Sequence, residues 1–396
     1  MRNTVRETWI TGVGIVSALG EGPDAHWEAL DAGKVKVETA AFAPYIVHPL
    51  ASVSFDAQIP KKGDQRQMEP WQRIGTYAAG LALESAGVKG NADLLGRMDM
   101  IVAAGGGERD LAADSAILTG LSKASGPQAF LNEQLMSTLR PTLFLAQLPN
   151  LLAGNISVVH GVTGSSRTFM GEEAAGVDAV RIAHARIQSG DSEIALVGGA
   201  YNGERKELLL LLEFGGYNLT EKFQPVWARG GRPGFAHGSM GAFLVLENGD
   251  HAKARGAVPL ARLTRVASSR SKRKPGDVSV TLTCLWDRIA PRQGEGGALI
   301  SGATGVEPTT SEERAFLASH PDFAARATGS HIGHGIEPQF AMNIALAATA
   351  VQRGTLFASH DATGFERASE GALTQAIVTS VGHWRGEGLA LVEKVH

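Results

Sequence analysis

Short β-rich apolar runs that end on glycine alternate with longer alanine-rich stretches along almost the whole chain, and this pattern narrows the fold more than any other feature. Buried strands under helices give that alternation, so the sequence predicts an α/β protein. Residues 9–19 (WITGVGIVSAL) read as an opening strand broken by glycines. Residues 69–86 carry Ala and Leu at helical spacing and stop before Gly87, a residue suited to a helix C-terminus. Strands are expected at 99–104, 193–197 and 243–246, with a helix at 174–188. The second half repeats the scheme: strands at 297–301, 375–381 and 389–393, and an Ala-rich helix at 339–352. Two halves of this kind are compatible with an internal duplication. The stretch 268–277 (SSRSKRKPGD) reads as a surface loop.

Composition narrows the function classes. There are 49 glycines in 396 residues, against a usual share of ~7%, and they mark tight turns and close backbone approach rather than a collagen period. Apolar residues at 43% and charged residues at 19% exclude disorder. A net charge of −3 and 6% aromatics give no basic field or stacking surface for nucleic acid. No apolar run reaches the ~20 residues a membrane span needs, and Glu7 and two glycines interrupt any signal-peptide core, so a cytoplasmic protein is expected. A single cysteine, Cys284, excludes a disulfide framework; its setting among Thr and Leu reads as small apolar packing.

The generic catalytic motifs fail. Gly12-Val13-Gly14 lacks the third glycine of a dinucleotide fingerprint, no Walker A motif occurs, and His237 stands where a nucleophile elbow needs glycine. His331 and His334 have no Cys or carboxylate at zinc spacing, so neither a metal nor a cofactor is expected.

Five segments in order carry a resemblance. They are 10–20 (ITGVGIVSALG), 68–87, 149–161 (PNLLAGNIS followed by His160-Gly161), 178–200, and 234–247 from Gly234-Phe235 to Leu246-Glu247. Together the chain resembles the β-ketoacyl-acyl-carrier-protein synthases. The resemblance implies a thiolase-like duplicated α/β/α/β/α layered fold, with one half at 1–247 and the other at 248–396, and a dimer.

The resemblance also implies three catalytic groups: a Cys at a helix N-terminus, whose thiolate takes the acyl chain, and two His that bind the thioester carbonyl and stabilise the enolate. Here Glu173 falls at the Cys position, Ser301 at the first His, and His334 at the second; the Lys that supports it is Gly329, and the glutamate after the first His is matched by Glu312. A carboxylate is a poor acyl acceptor. The chain is therefore expected to be a pseudoenzyme, inactive in condensation by itself and similar to chain-length factors, with an acyl carrier protein and a Cys-bearing ketosynthase as partners or a homodimer in their place. Phe144, Leu145, Phe169 and His383 are then candidates for the acyl tunnel, as is the run of leucines at 208–212, while Arg270, Lys272, Arg273 and Lys274 are candidates for docking an acidic carrier protein. Two alternatives stay open: a malonyl-carrier-protein decarboxylase or altered acyltransferase using Glu173, kept protonated by burial, and His334; or a module that only binds an acyl group.

Overall fold

Each predicted apolar run becomes a strand, and the computed structural model, which describes residues 6–138, 145, 147–231, 233–293, 296–369 and 371–395, joins them in one sheet path. The first five are β1 (Thr8–Ser17), β2 (Asp99–Ala104), β3 (Ser166–Met170), β4 (Ile194–Tyr201) and β5 (Met240–Asn248). The second five are β6 (Ala261–Ser269), β7 (Gly297–Ser301), β8 (Phe323–Ala327), β9 (Gln375–Val381) and β10 (Glu387–Glu393). Their spatial order is β3-β2-β4-β5-β1-β6-β10-β9-β7-β8. Each half thus has the order 3-2-4-5-1. The directions repeat too: β2 runs parallel to β3 and β4, as β7 does to β8 and β9, and the remaining pairs are antiparallel. The duplication suspected from the alternation is a topological fact.

Seven helices set the layers: α1 (Pro70–Ser85), α2 (Leu151–His160), α3 (Glu173–Ser189), α4 (Lys206–Glu213), α5 (Asp277–Ile289), α6 (Thr309–Ala318) and α7 (Gln339–Arg353). Alternate residues of a strand face opposite sides. On β5, Leu244 and Leu246 join α3 and α7 in a central core, whereas Phe243 and Val245 meet α1 and α2 on the outside. On the second half, Leu299, Ile377 and Leu389 meet α5 and α6 in a third core. The result is helix, sheet, helix, sheet, helix.

Close packing explains glycines inside strand β1. A Cβ on Gly14 would stand 2.1 Å from the Ala78 carbonyl oxygen and 2.3 Å from the Ala82 nitrogen, both on α1. Gly14→Ala must push α1 off the sheet, and thermal unfolding should show a loss of about 1–3 kcal/mol.

Two expectations need correction. The surface loop is shorter than 268–277, because β6 continues through Ser269 and α5 begins at Asp277. Cys284 is exposed, not packed: α5 buries Val278, Leu282, Leu285, Trp286 and Ile289, and position 284 falls on the other face. No helix among the described residues is long and apolar enough to cross a membrane.

Candidate active site

The site forms where α3 begins. Gly171, at φ 138°, turns the chain out of β3, and Glu173 takes the first helical position, where the helix dipole favours an anion. His334 follows one helical turn, Gly329–Ile332, and Gly333 in the left-handed region. Its backbone is pinned on both sides: its N–H donates to the Ala236 carbonyl at 2.8 Å and its carbonyl accepts from Gly238 at 3.0 Å. His383 lies in the turn between β9 and β10. Arg273 holds that turn, donating to the Gly382 carbonyl at 2.6 Å and pairing with buried Glu387.

These elements deliver three donors to one carboxylate. His334 Nε2 lies 2.8 Å from Glu173 Oε1, His383 Nδ1 lies 2.9 Å from Oε1 and 3.1 Å from Oε2, and the His383 backbone N–H reaches Oε1 at 3.3 Å. Glu173 and His334 are each 2% exposed, so water does not compete. Burial by itself would raise the Glu173 pKa, but the charge on His383 and the hydrogen bonds from both imidazoles outweigh it and hold Glu173 ionised, below the usual carboxyl range. For His383, burial works downward, and the Glu173 charge overcomes it to give a raised pKa. Phe235 packs among the imidazoles, with ring centroids 5.4 Å from both His334 and His383.

A third histidine backs the pair and stays neutral. Asn218 donates through Nδ2 to the Leu209 carbonyl, so its Oδ1 must accept from His237 Nε2 at 2.8 Å; His237 Nδ1 then accepts from the Tyr201 hydroxyl at 2.6 Å. Burial, then the neighbouring His334 and His383, push the His237 pKa down to about 3.

Ser301 stands apart from this cluster. Its hydroxyl donates to Glu313 at 2.7 Å and accepts from the Ala303 N–H at 3.0 Å. Its acidic partner is Glu313, not Glu312. Glu312 accepts from the N–H groups of Gly276, Val278 and Ser279 at the start of α5. Gly329 is tightly flanked: a Cβ there would stand 3.2 Å from both the Ala303 carbonyl oxygen and the Val226 side chain. His334 Nδ1 is buried with no hydrogen-bond partner among the described residues. His331 turns away, its Nδ1 3.2 Å from the Lys34 carbonyl, and no group of three or more metal-ligating side chains occurs among the described residues.

His383 lines two cavities. One, of about 490 Å³, has Trp71, Leu208, Leu211, Leu212 and Ile336 as its apolar wall. The other, of about 470 Å³, is lined by Tyr217, Lys272, Val306 and Trp384. The leucine run thus supplies the wall through α4. Two expected tunnel residues stand elsewhere: Phe169 is half-buried on β3 against the central core, and Leu145 is exposed, so neither lines these cavities. Phe144 lies outside the described residues. Of the basic run, Arg273 is committed to Glu387 and Arg270 reaches Asp178 at 3.6 Å, which leaves Lys272 and Lys274 exposed without an ion pair among the described residues. A larger groove of about 750 Å³ beside α3 shares no residue with the site, and Arg6, Arg181 and Arg262 there already pair with carboxylates.

Sequence reading missed the roles of Tyr201, Asn218, His237 and Glu313, because these come from long-range contacts. Only the glycine-poor variant of the 234–247 segment, with His237 and Ser239, signals that something replaces the usual turn.

Residues 6–252 match the family described as Beta-ketoacyl synthase, N-terminal domain. The chain is 26% identical over 265 residues to 3-oxoacyl-[acyl-carrier-protein] synthase 2 of Vibrio cholerae serotype O1, covering 64% of this chain and 60% of that protein. It is 27% identical over 282 residues to the tetracenomycin polyketide synthase ketoacyl synthase beta subunit of Streptomyces glaucescens, covering 67% and 64%. The matches thus span less than two thirds of these relatives' length. The solved structure of the ishigamide ketosynthase/chain length factor shares the fold at a TM-score of 0.80, 19% identity, and coverage of 99% of this chain and 100% of that one.

Proposed function

Because this chain belongs to the β-ketoacyl synthase family, we propose that it acts in acyl-chain biosynthesis as a cytoplasmic, non-catalytic subunit. In this reading it pairs with a Cys-bearing ketosynthase and shapes the cavity into which the growing chain extends. The observation that carries the reading is the Glu173–His334–His383 cluster. Condensation needs a nucleophile and free donors aimed at a thioester carbonyl. Here the nucleophile position holds a carboxylate, and both imidazoles already donate to it. Ser301, at the other donor position, is spent on Glu313.

The pairing has a candidate surface. Among the described residues β3 ends the sheet with an unpaired edge, and Met170 on it and Val158 on α2 are 68% and 75% exposed. The relative named as a beta subunit, and the structure named as a ketosynthase/chain length factor, support a paired role. Lys272, which lines the second His383 cavity, and Lys274 two residues on are where an acidic carrier protein would dock. The decarboxylase reading needs a protonated Glu173, and the two imidazoles oppose that.

The test is reconstitution with acyl- and malonyl-carrier protein. By itself the chain should condense at least about a thousandfold more slowly than a Cys-bearing ketosynthase, since nucleophile and donor are both missing. Added to that ketosynthase, it should change product length, and Leu212→Trp should shorten the products by filling the cavity. CO2 release by the chain by itself, lost in Glu173→Ala, would instead establish a decarboxylase. Unchanged products with and without the chain would end the pairing proposal.

A further inference from the structure

The cavity behind His383 contains one residue that neither the fold nor the Glu173 cluster explains. Glu337 is 6% exposed and lines the cavity together with Leu208, Leu211 and Leu212. Among the described residues its carboxyl hydrogen-bonds only its own backbone N–H. A buried carboxyl with no partner beyond its own backbone costs free energy that an apolar residue of similar size would not.

The backbone nevertheless goes to some length to place it. Ile336, just before, has φ 53°, and a β-branched residue in the left-handed region is strained. Two glycines make the room. A Cβ on Gly105 would stand 2.4 Å from the Glu337 carboxyl oxygen, and a Cβ on Gly176 of α3 would stand 2.2 Å from its carbonyl oxygen. Strain, a carboxyl bonded only to its own backbone and a fitted cradle converge on a cavity, which is the setting of a ligand contact rather than of packing.

We propose that Glu337 selects the acyl chain: its carboxyl donates a hydrogen bond to a ketone oxygen carried on the chain, so the cavity prefers a ketone-bearing chain to a saturated chain of equal length. This deepens, and rests on, the reading of the cavity as an acyl site. Burial, reinforced by the charge of Glu173, pushes the Glu337 pKa up to about 8, which leaves the proton needed for donation in place at neutral pH. Glu172, just ahead of α3, acts in the same direction, while Arg205, ahead of α4, opposes it; Tyr201 on β4, Asn202, Arg109, Glu207 and His383 are the other polar side chains lining the cavity.

The experiment measures binding of acyl-pantetheine amides to the purified full chain by calorimetry. One probe is saturated; the others, of equal length, carry one ketone at successive positions. The best ketone probe should bind about tenfold more tightly than the saturated one, as one hydrogen bond in a dry site allows. Glu337→Leu should remove the preference, and Glu337→Gln, whose amide also donates, should retain it. Gly105→Ala, which displaces the carboxyl without touching its chemistry, should remove it as well, and so tests the idea even if the leucine variant folds poorly. The preference should also fade as pH rises through about 8, because an ionised carboxyl only accepts. Equal binding of matched probes by the wild type, or a preference that survives Glu337→Leu, overturns the proposal and leaves the acyl cavity standing. Failure of every probe to bind overturns the cavity reading and the proposal together.

Discussion

Glu173→Ala should destabilise the protein by about 3–5 kcal/mol, the range for removing one partner of a buried ion pair. The carboxylate accepts from His334 and from both the ring and backbone of His383, and the substitution leaves these donors buried and unsatisfied. The sign of the pH dependence follows from the two shifts. Glu173 is depressed from 4.5, so its contribution is fully present above about that pH and is lost as pH falls toward its folded value. His383 is raised from 6.5, so its contribution is present below that pH and is lost as pH rises through its folded value. The pair is therefore most stabilising between about pH 4.5 and 6.5, and the gap between wild type and Glu173→Ala should be widest there. Urea unfolding across pH measures the gap, and a histidine titration by NMR should show His383 falling below its ordinary value in the variant. A gap under about 1 kcal/mol with an unmoved His383 would mean that His383 carries no charge beside Glu173.

The strand and helix alternation was legible because burial writes a local signature. Strands covered on both faces become continuous apolar runs such as 194–197, and α7, buried along nearly its whole length, becomes uniformly Ala-rich. α5 was not legible: β-branched Thr and Val weaken the helix propensity of its start, and tertiary contact with β6 and β10 decides for helix. In the site, Glu173 and His334 could be placed because motif spacing survives around them, and the structure brings them within 2.8 Å of each other. His383 was expected to line a tunnel, and it does line both cavities, but its bond to Glu173 spans 210 residues of chain and no local pattern encodes it. The choice of Glu313 over Glu312 turns on which face of α6 meets β7. One residue on a helix rotates the side chain by about 100°, beyond the resolution of motif matching without a glycine anchor.

A second substitution at the same position separates loss of a nucleophile from loss of the site. Glu173→Cys places a thiol at the first turn of α3, beside His334 and His383, with the helix dipole behind it. These surroundings lower a thiol pKa from ~8.5 into the range of about 3.5–7.5, so at pH 7 the thiolate rises from a few per cent to between about a quarter and nearly all of it. Its alkylation by iodoacetamide should then slow much less between about pH 8.5 and 7 than that of an ordinary exposed thiol, a comparison in which the burial of position 173 cancels. The protein supplies its own reference in Cys284, exposed on α5, and a Cys284→Ser background isolates the new thiol. Acylation from an acyl thioester should follow, because the imidazoles freed from Glu173 can assist it. Elongation should not, because Ser301 still donates to Glu313 and presents nothing to the enolate. Mass spectrometry of the acylated variant, with carrier protein and malonyl donor present, reads both steps at once. A stable acyl adduct at position 173 without extension is the expected result, since the helix terminus and imidazoles remain while the second donor does not. Full condensation from the single substitution would show that Ser301 is no barrier and that Glu173 is what silences this site.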